Sequence, residues 1–145
     1  MIDNLADYKV YTFSLNWDII NERKEENREV RFMCSSDQLD ILLQQIAQVY
    51  RQVYGEEIVK ILMYGSYARG TFDEESDIDI VAIVKGERES LQQGLKLVWE
   101  RSAELELEYE TILSPTVIPY DEFERFRDDL PYYRNIEREG VEIVA

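Results

Sequence analysis

The apolar positions of this chain change their period along its length, and each change marks an element. Leu39, Leu42, Leu43, Ile46, Val49, Tyr50 and Val53 fall on one face at 3.6-residue spacing, which predicts an amphipathic helix ending near Gly55. Ser35 and Gln38 have the spacing of a capping box, flanked by Cys34 and Leu39 as a hydrophobic staple, so the helix is expected to start there. Residues 58–64 are almost continuously apolar apart from Lys60, as in a strand covered on both faces, and Gly65 ends the run. Residues 77–84 alternate carboxylate and aliphatic before becoming wholly apolar, which reads as a second buried strand closed by Lys85 and Gly86. Leu91, Leu95, Val98, Trp99 and Ala103 restore the helical period over residues 87–104, with acids in the first turn where the helix dipole favours them. Residues 105–113 return to period two, which predicts a third strand with Glu106, Glu108 and Glu110 on one face and Leu105, Leu107 and Tyr109 on the other. Pro115 and Pro119 are expected to stop it, because proline donates nothing to a sheet ladder. Short helices follow over residues 121–127 and 132–139, with Gly140 closing the second. The expected fold class is therefore α+β, a mixed sheet with helices packed on it.

The N-terminal stretch is less regular. Tyr11, Phe13 and Leu15 alternate as an edge strand would, and the charged run 21–29 reads as a solvated turn or helix; an arm for an oligomer or partner is the sharper alternative. The chain thus divides into a 1–34 extension and a 35–145 domain, within a length of 145 residues that suits one core.

Charge narrows the function. Asp and Glu number 31 against 16 Lys and Arg, a formal net charge of −15, so a phosphate backbone is repelled and direct nucleic-acid binding is not expected. A cationic partner suits this balance better. One cysteine and no histidine exclude an internal disulfide, argue against zinc, and remove Ser-His-Asp and Cys-His chemistry. Any catalysis has to come from carboxylates. The apolar runs at 58–64 and 78–84 are of strand length, too short to span a bilayer, and a cytoplasmic protein without membrane contact is expected.

The chemistry concentrates in Gly65-Ser66-Tyr67-Ala68-Arg69-Gly70 and, ten residues beyond Ser66, Ser76-Asp77-Ile78-Asp79. A glycine at a strand end lets the backbone turn sharply and approach a ligand, while the following amides and the Ser66 hydroxyl can donate to phosphate oxygens. Asp77 and Asp79, two apart on a strand, share a face. Their roots lie about 7 Å apart, a spacing from which two carboxylates can flank a pair of magnesium ions about 3.5–4 Å apart, as in two-metal phosphoryl chemistry. A third acid from the neighbouring strand would complete such a site, and Glu110 is the choice there, with Glu108 as the alternative and a plain acidic surface as the bland reading. Either half of the pattern alone is compatible with an ordinary turn and strand start. At residue frequencies of about 5–7%, the two at this spacing arise by chance in about one chain in a thousand of this size.

The segment GSYARGTFDEESDIDI resembles the signature of minimal nucleotidyltransferase (MNT) domains of the DNA polymerase β superfamily. The resemblance implies a nucleotidyltransferase-like sheet. It also implies a triphosphate held by Gly65 and Ser66, with Arg69 beside them, and metals held by Asp77, Asp79 and Glu110. Glu110 departs from the Asp usual at that place. It further implies transfer of a nucleotide monophosphate from a triphosphate, ATP with two Mg²⁺ ions, to a hydroxyl. Stand-alone MNT proteins of this size resemble the antitoxins of HEPN–MNT toxin–antitoxin pairs, which implies a HEPN-family ribonuclease toxin as partner, a tyrosine of it as acceptor, and an oligomer formed with it. The alternatives are transfer to a small molecule such as an aminoglycoside, and a non-catalytic module that neutralises its partner by binding.

Overall fold

Helix α1 covers Ser36–Tyr54 and buries Leu39, Leu42, Leu43, Ile46, Ala47 and Tyr50 along one face, the stripe that the sequence period marks. The computed structural model to which it belongs describes residues 36–73 and 75–143. The alternation at Tyr11, Phe13 and Leu15, the charged run 21–29 and the start signal at Cys34 and Ser35 all lie outside the described residues. A short 3₁₀ turn, Gly55–Glu57, leads into strand β1, Ile58–Tyr64. Only the second half of β1 is covered, since Val59 and Lys60 remain exposed.

A single helical turn, α2 at Ser66–Arg69, precedes strand β2 at Ile78–Val84. Helix α3 then runs over Arg88–Tyr109, and here the structure corrects the sequence reading. Residues 105–109 are the last turns of α3, not a strand. Glu110 is its C-cap, in the left-handed region at φ 50°, where its N–H bonds the Glu106 carbonyl. The third strand is β3, Leu113–Pro119: Pro115 lies inside it instead of ending it, while Pro119 is its last residue, as expected. Proline is tolerated because β3 is the edge of the sheet, whose order is β3-β2-β1-β4. Helices α4, Tyr120–Phe126, and α5, Pro131–Glu139, follow, and the Gly140 N–H returns to the Ile136 carbonyl. The two-residue strand β4, Val141–Glu142, closes the described chain against β1.

The sheet is mixed, as expected: β1 runs antiparallel to β2 and β4, while β2 and β3 are parallel and joined through α3. Its two faces carry separate apolar clusters. Ile61, Met63, Ile78, Ile80, Ala82 and Val84 meet α1 and α3 on one side. Leu62, Val81, Ile83 and Ile118 meet Phe123 of α4 and Tyr133 and Ile136 of α5 on the other. Helices α1 and α3 cross tightly at Gly94, where a Cβ would stand 2.8 Å from the Tyr54 ring. The Tyr54 hydroxyl donates to the Leu91 carbonyl at 2.7 Å, and half-burial raises its pKa to about 12.

Tyr50 ties these layers together. It is fully buried, which keeps its hydroxyl protonated well beyond the usual range, and that hydroxyl donates to the Thr116 carbonyl of β3 at 2.8 Å. Tyr50→Phe is expected to lower the free energy of urea unfolding by about 1 kcal/mol, the usual net worth of such a bond, with the far-ultraviolet dichroism unchanged.

Candidate active site

Chain geometry at the end of β1 is set by Gly65, which has φ 78° and ψ −153°, a conformation costly for any other residue. A second constraint comes from across the sheet. A Cβ on Gly65 would lie 2.3 Å from Oδ2 of Asp79, so the carboxylate rests directly on the bare backbone. Beyond Gly65, the Arg69 N–H bonds the Gly65 carbonyl at 3.0 Å and the Thr71 N–H bonds the Ser66 carbonyl at 3.0 Å, closing the turn. The amides that open such a turn have no partner within it. Tyr67 and Phe72 hold the turn down: their rings stack at 4.5 Å and both are buried in the core. Ser66 is left half-buried and Arg69 exposed, the latter paired with Glu139 of α5 at 3.0 Å.

The loop from the turn to β2 is shaped by a local knot of polar groups. Ser76 Oγ donates to Asp73 Oδ1 at 3.1 Å and accepts the Asp73 N–H at 2.9 Å, while Asp73 Oδ1 also takes the Glu75 N–H. Ser76, part of the motif, thus acts structurally, folding the loop so that Asp77 and Asp79 enter β2 beside the glycine turn.

Asp79 shares its sheet face with Val81 and Ile83, and its register partners are Tyr64 on β1 and Ser114 on β3. Asp77, exposed, accepts a hydrogen bond from Ser114 Oγ at 3.2 Å. Burial raises the Asp79 pKa above the ordinary carboxylate value, repulsion from Asp77 raises it further, and the Arg69 guanidinium opposes both. A carboxylate whose charge is disfavoured by burial and by a neighbouring acid, beside a glycine turn, suits a divalent cation carrying phosphate. Asp77 and Asp79 are the acidic pair that could hold such a cation.

Glu110 does not join them. Its side chain is exposed at the end of α3, and among the described residues no group of three acidic, cysteine or histidine side chains is arranged to hold a metal. Glu108 is exposed on the same helix. Glu106 has a different role: its Oε1 accepts the Leu113 N–H at 3.0 Å and fixes the start of β3. The strand that does lie beside Asp79 carries hydroxyls where an acid was expected, Ser114 on Asp77 and Thr116 on the Ile80 carbonyl at 3.2 Å. Sequence reasoning missed Ser114 because it ended the third strand before that residue.

Next to Thr116 a groove of about 540 Å³ opens between β3, α3 and the start of α5, lined by Leu95, Trp99, Val117, Leu130 and Tyr132 among others. The hydroxyl of Tyr132, on its wall, meets that of Tyr64 at 3.0 Å, and burial pushes the Tyr64 hydroxyl well above its usual pKa. No helix among the described residues is long and apolar enough to cross a membrane.

The chain is also similar in sequence to known proteins. The family described as "Nucleotidyltransferase domain" matches residues 43–143. Three proteins of Methanocaldococcus jannaschii, each named "Putative protein adenylyltransferase", are similar to the chain. One is 31% identical over 88 residues, which is 61% of this chain and 81% of its own length. Another is 28% identical over 98 residues, 68% of this chain and 90% of its own. The third is 40% identical over 47 residues, 32% of each.

The Asp79 environment makes a testable statement about pH. A carboxyl with a raised folded pKa keeps its proton to higher pH in the folded state than in the unfolded chain. Its ionisation therefore lowers stability, beginning as pH rises through the unfolded value and complete above the folded one. Asp79→Asn removes that loss: without metal, its melting temperature at neutral pH is expected to equal or exceed that of the wild type, the difference vanishing below about pH 4. Mg²⁺ with ATP is expected to raise the wild-type melting temperature and to leave most of that rise absent in Asp79→Asn, as thermal melts on both proteins would read.

Proposed function

The chain belongs to the nucleotidyltransferase domain family, and from that premise we propose that it transfers AMP from ATP to a tyrosine hydroxyl of a HEPN-family ribonuclease toxin, as that toxin's antitoxin. The observation that carries the transfer is the Asp79 carboxylate seated on Gly65, with Asp77 two residues away: it joins the cation-binding pair to the phosphate-binding turn in one rigid unit. Protein adenylylation draws its support from the names of the Methanocaldococcus jannaschii relatives. The toxin partner draws on the resemblance to small stand-alone MNT proteins and on the net charge of −15, which steers the chain toward a basic, RNA-cleaving surface.

In this reading Ser66 Oγ and the first amides of α2 donate to oxygens of the triphosphate, and Arg69 adds a positive charge at the rim. Asp77 and Asp79 orient the cation-bound phosphates. Magnesium, when bound, would neutralise the triphosphate and the charge that builds up on the departing pyrophosphate. The acceptor oxygen bonds to the α-phosphorus, the bond from that phosphorus to the bridging oxygen breaks, and pyrophosphate leaves with the electron pair. The acceptor proton passes to solvent or to a base on the acceptor side. A second reading, a module that neutralises its partner by binding without transfer, is favoured by the absence of an acid on β3.

Co-expression with the product of the neighbouring gene, followed by intact-mass measurement, is expected to show that partner heavier by whole AMP units. Purified proteins with α-labelled ATP and Mg²⁺ are expected to give the same labelled partner. Tight binding with no added mass would support the second reading instead. Ser66→Ala is expected to weaken ATP binding about tenfold or more, since a hydroxyl donor to a charged oxygen contributes about 1.5–3 kcal/mol; isothermal titration would show it.

A further inference from the structure

We infer that this site takes one divalent ion, bound together with the triphosphate, because Ser114 occupies the place from which a carboxylate would hold a second. The inference rests on the proposed nucleotidyl transfer only for the identity of the ligand. Two dications about 3.5–4 Å apart repel strongly and stay together only where carboxylates bridge and flank them. Asp77 and Asp79 supply the shared pair. The wall beside them is β3, whose sequence from Leu113 to Pro119 contains no acid. Its residue in register with Asp79 is Ser114, and the Ser114 hydroxyl is already committed as a donor to Asp77 Oδ2 at 3.2 Å. Thr116 stands one side-chain repeat further along and is committed to the Ile80 carbonyl. A neutral hydroxyl offers a cation a weak ligand and no charge, and one that donates to Asp77 also occupies a lone pair the ion would use. The remaining carboxylate considered for this role, Glu110, sits exposed on the α3 cap outside any three-acid group among the described residues.

One ion is enough to carry and orient a triphosphate. It leaves the acceptor hydroxyl without a metal of its own, so deprotonation depends on solvent or on the acceptor protein, and transfer by the wild type is slow.

The register also states the remedy. Neighbouring strands lie about 4.8 Å apart, so an acid at 114 would place its carboxylate beside those of Asp77 and Asp79 on the same face, replacing the donor with a third anionic ligand. The test uses Mn²⁺ with α,β-methylene-ATP, which cannot transfer AMP, and counts bound ions by electron paramagnetic resonance. The wild type is expected to bind one Mn²⁺ per chain in the presence of the analogue, Ser114→Asp two, and Ser114→Asn, similar in size and uncharged, one. With ATP and the partner, Ser114→Asp is expected to transfer about tenfold faster or more. Two ions on the wild type would overturn the inference, as would one ion on a Ser114→Asp protein whose melting curve shows it folded. Failure of the proposed function looks different: one and two ions on wild type and Ser114→Asp, with no label on any partner from either, would support the single-ion site and refute the transfer.

Discussion

A Cβ at position 65 would lie 2.3 Å from Asp79 Oδ2, and most of the site's architecture follows from that contact. It fixes the separation of the β1 end from the start of β2, through the register pairing of Tyr64 with Asp79. It also brings the two halves of the motif into contact. The glycine supplies both the positive-φ turn into the next residues and the bare surface on which the carboxylate rests. Any side chain there would displace the acid, the turn, or both.

Holding Asp79 half-buried beside Asp77 works against folding when no cation is present, and the rest of the fold offsets that cost. The sheet is sealed on both faces: α1 and α3 cover one, α4 and α5 the other, and Val81 and Ile83, on Asp79's own face, are buried. Behind the turn, the stacked Tyr67 and Phe72 rings anchor the segment that would otherwise relax away from the charge. The site is thus held by packing on every side except the one that faces solvent, where the Arg69 guanidinium already offsets part of the repulsion between Asp79 and Asp77.

Legibility in the sequence followed the strength of the local period. α1, β1, β2 and the two short C-terminal helices were readable because their stripes are long or their boundaries carry glycine and proline. The last turns of α3 were not. Leu91, Leu95 and Val98 continue on the same face through Ser102, Leu105 and Tyr109, but Ser102 breaks the apolar run while being buried, its hydroxyl bonded to the Trp99 carbonyl. The alternation of Leu105 to Glu110 then imitated a strand, although Leu107 is 83% exposed and contributes nothing to a core. That shift moved the third strand eight residues early and with it the third acid. The two-residue β4 has no period to read. Within the site, Gly65, Ser66, Asp77 and Asp79 were visible as a motif and are brought together, whereas Ser114 and the loop-folding role of Asp73 with Ser76 needed coordinates.

The prolines that disguised β3 also account for how an open edge can border the site. An unpaired strand edge invites pairing with another chain unless its donors and acceptors are taken or absent. The Ile78 N–H bonds the Ile112 carbonyl, so in this parallel ladder the even-numbered residues of β3 point their polar groups at β2 and the odd-numbered ones point outward. Outward, the Leu113 N–H is taken by Glu106, Pro115 and Pro119 have none, and the Pro115 carbonyl is taken by the Trp99 indole at 2.9 Å. Val117 alone keeps an N–H on that side within the run between the two prolines. Such an edge offers a continuous extra strand few of the donors and acceptors it needs. Glu106, read as one of a row of strand acids, and the prolines, read as strand stops, thus serve one purpose: an unpaired edge next to Asp77 and Asp79 that gives a second strand little to pair with.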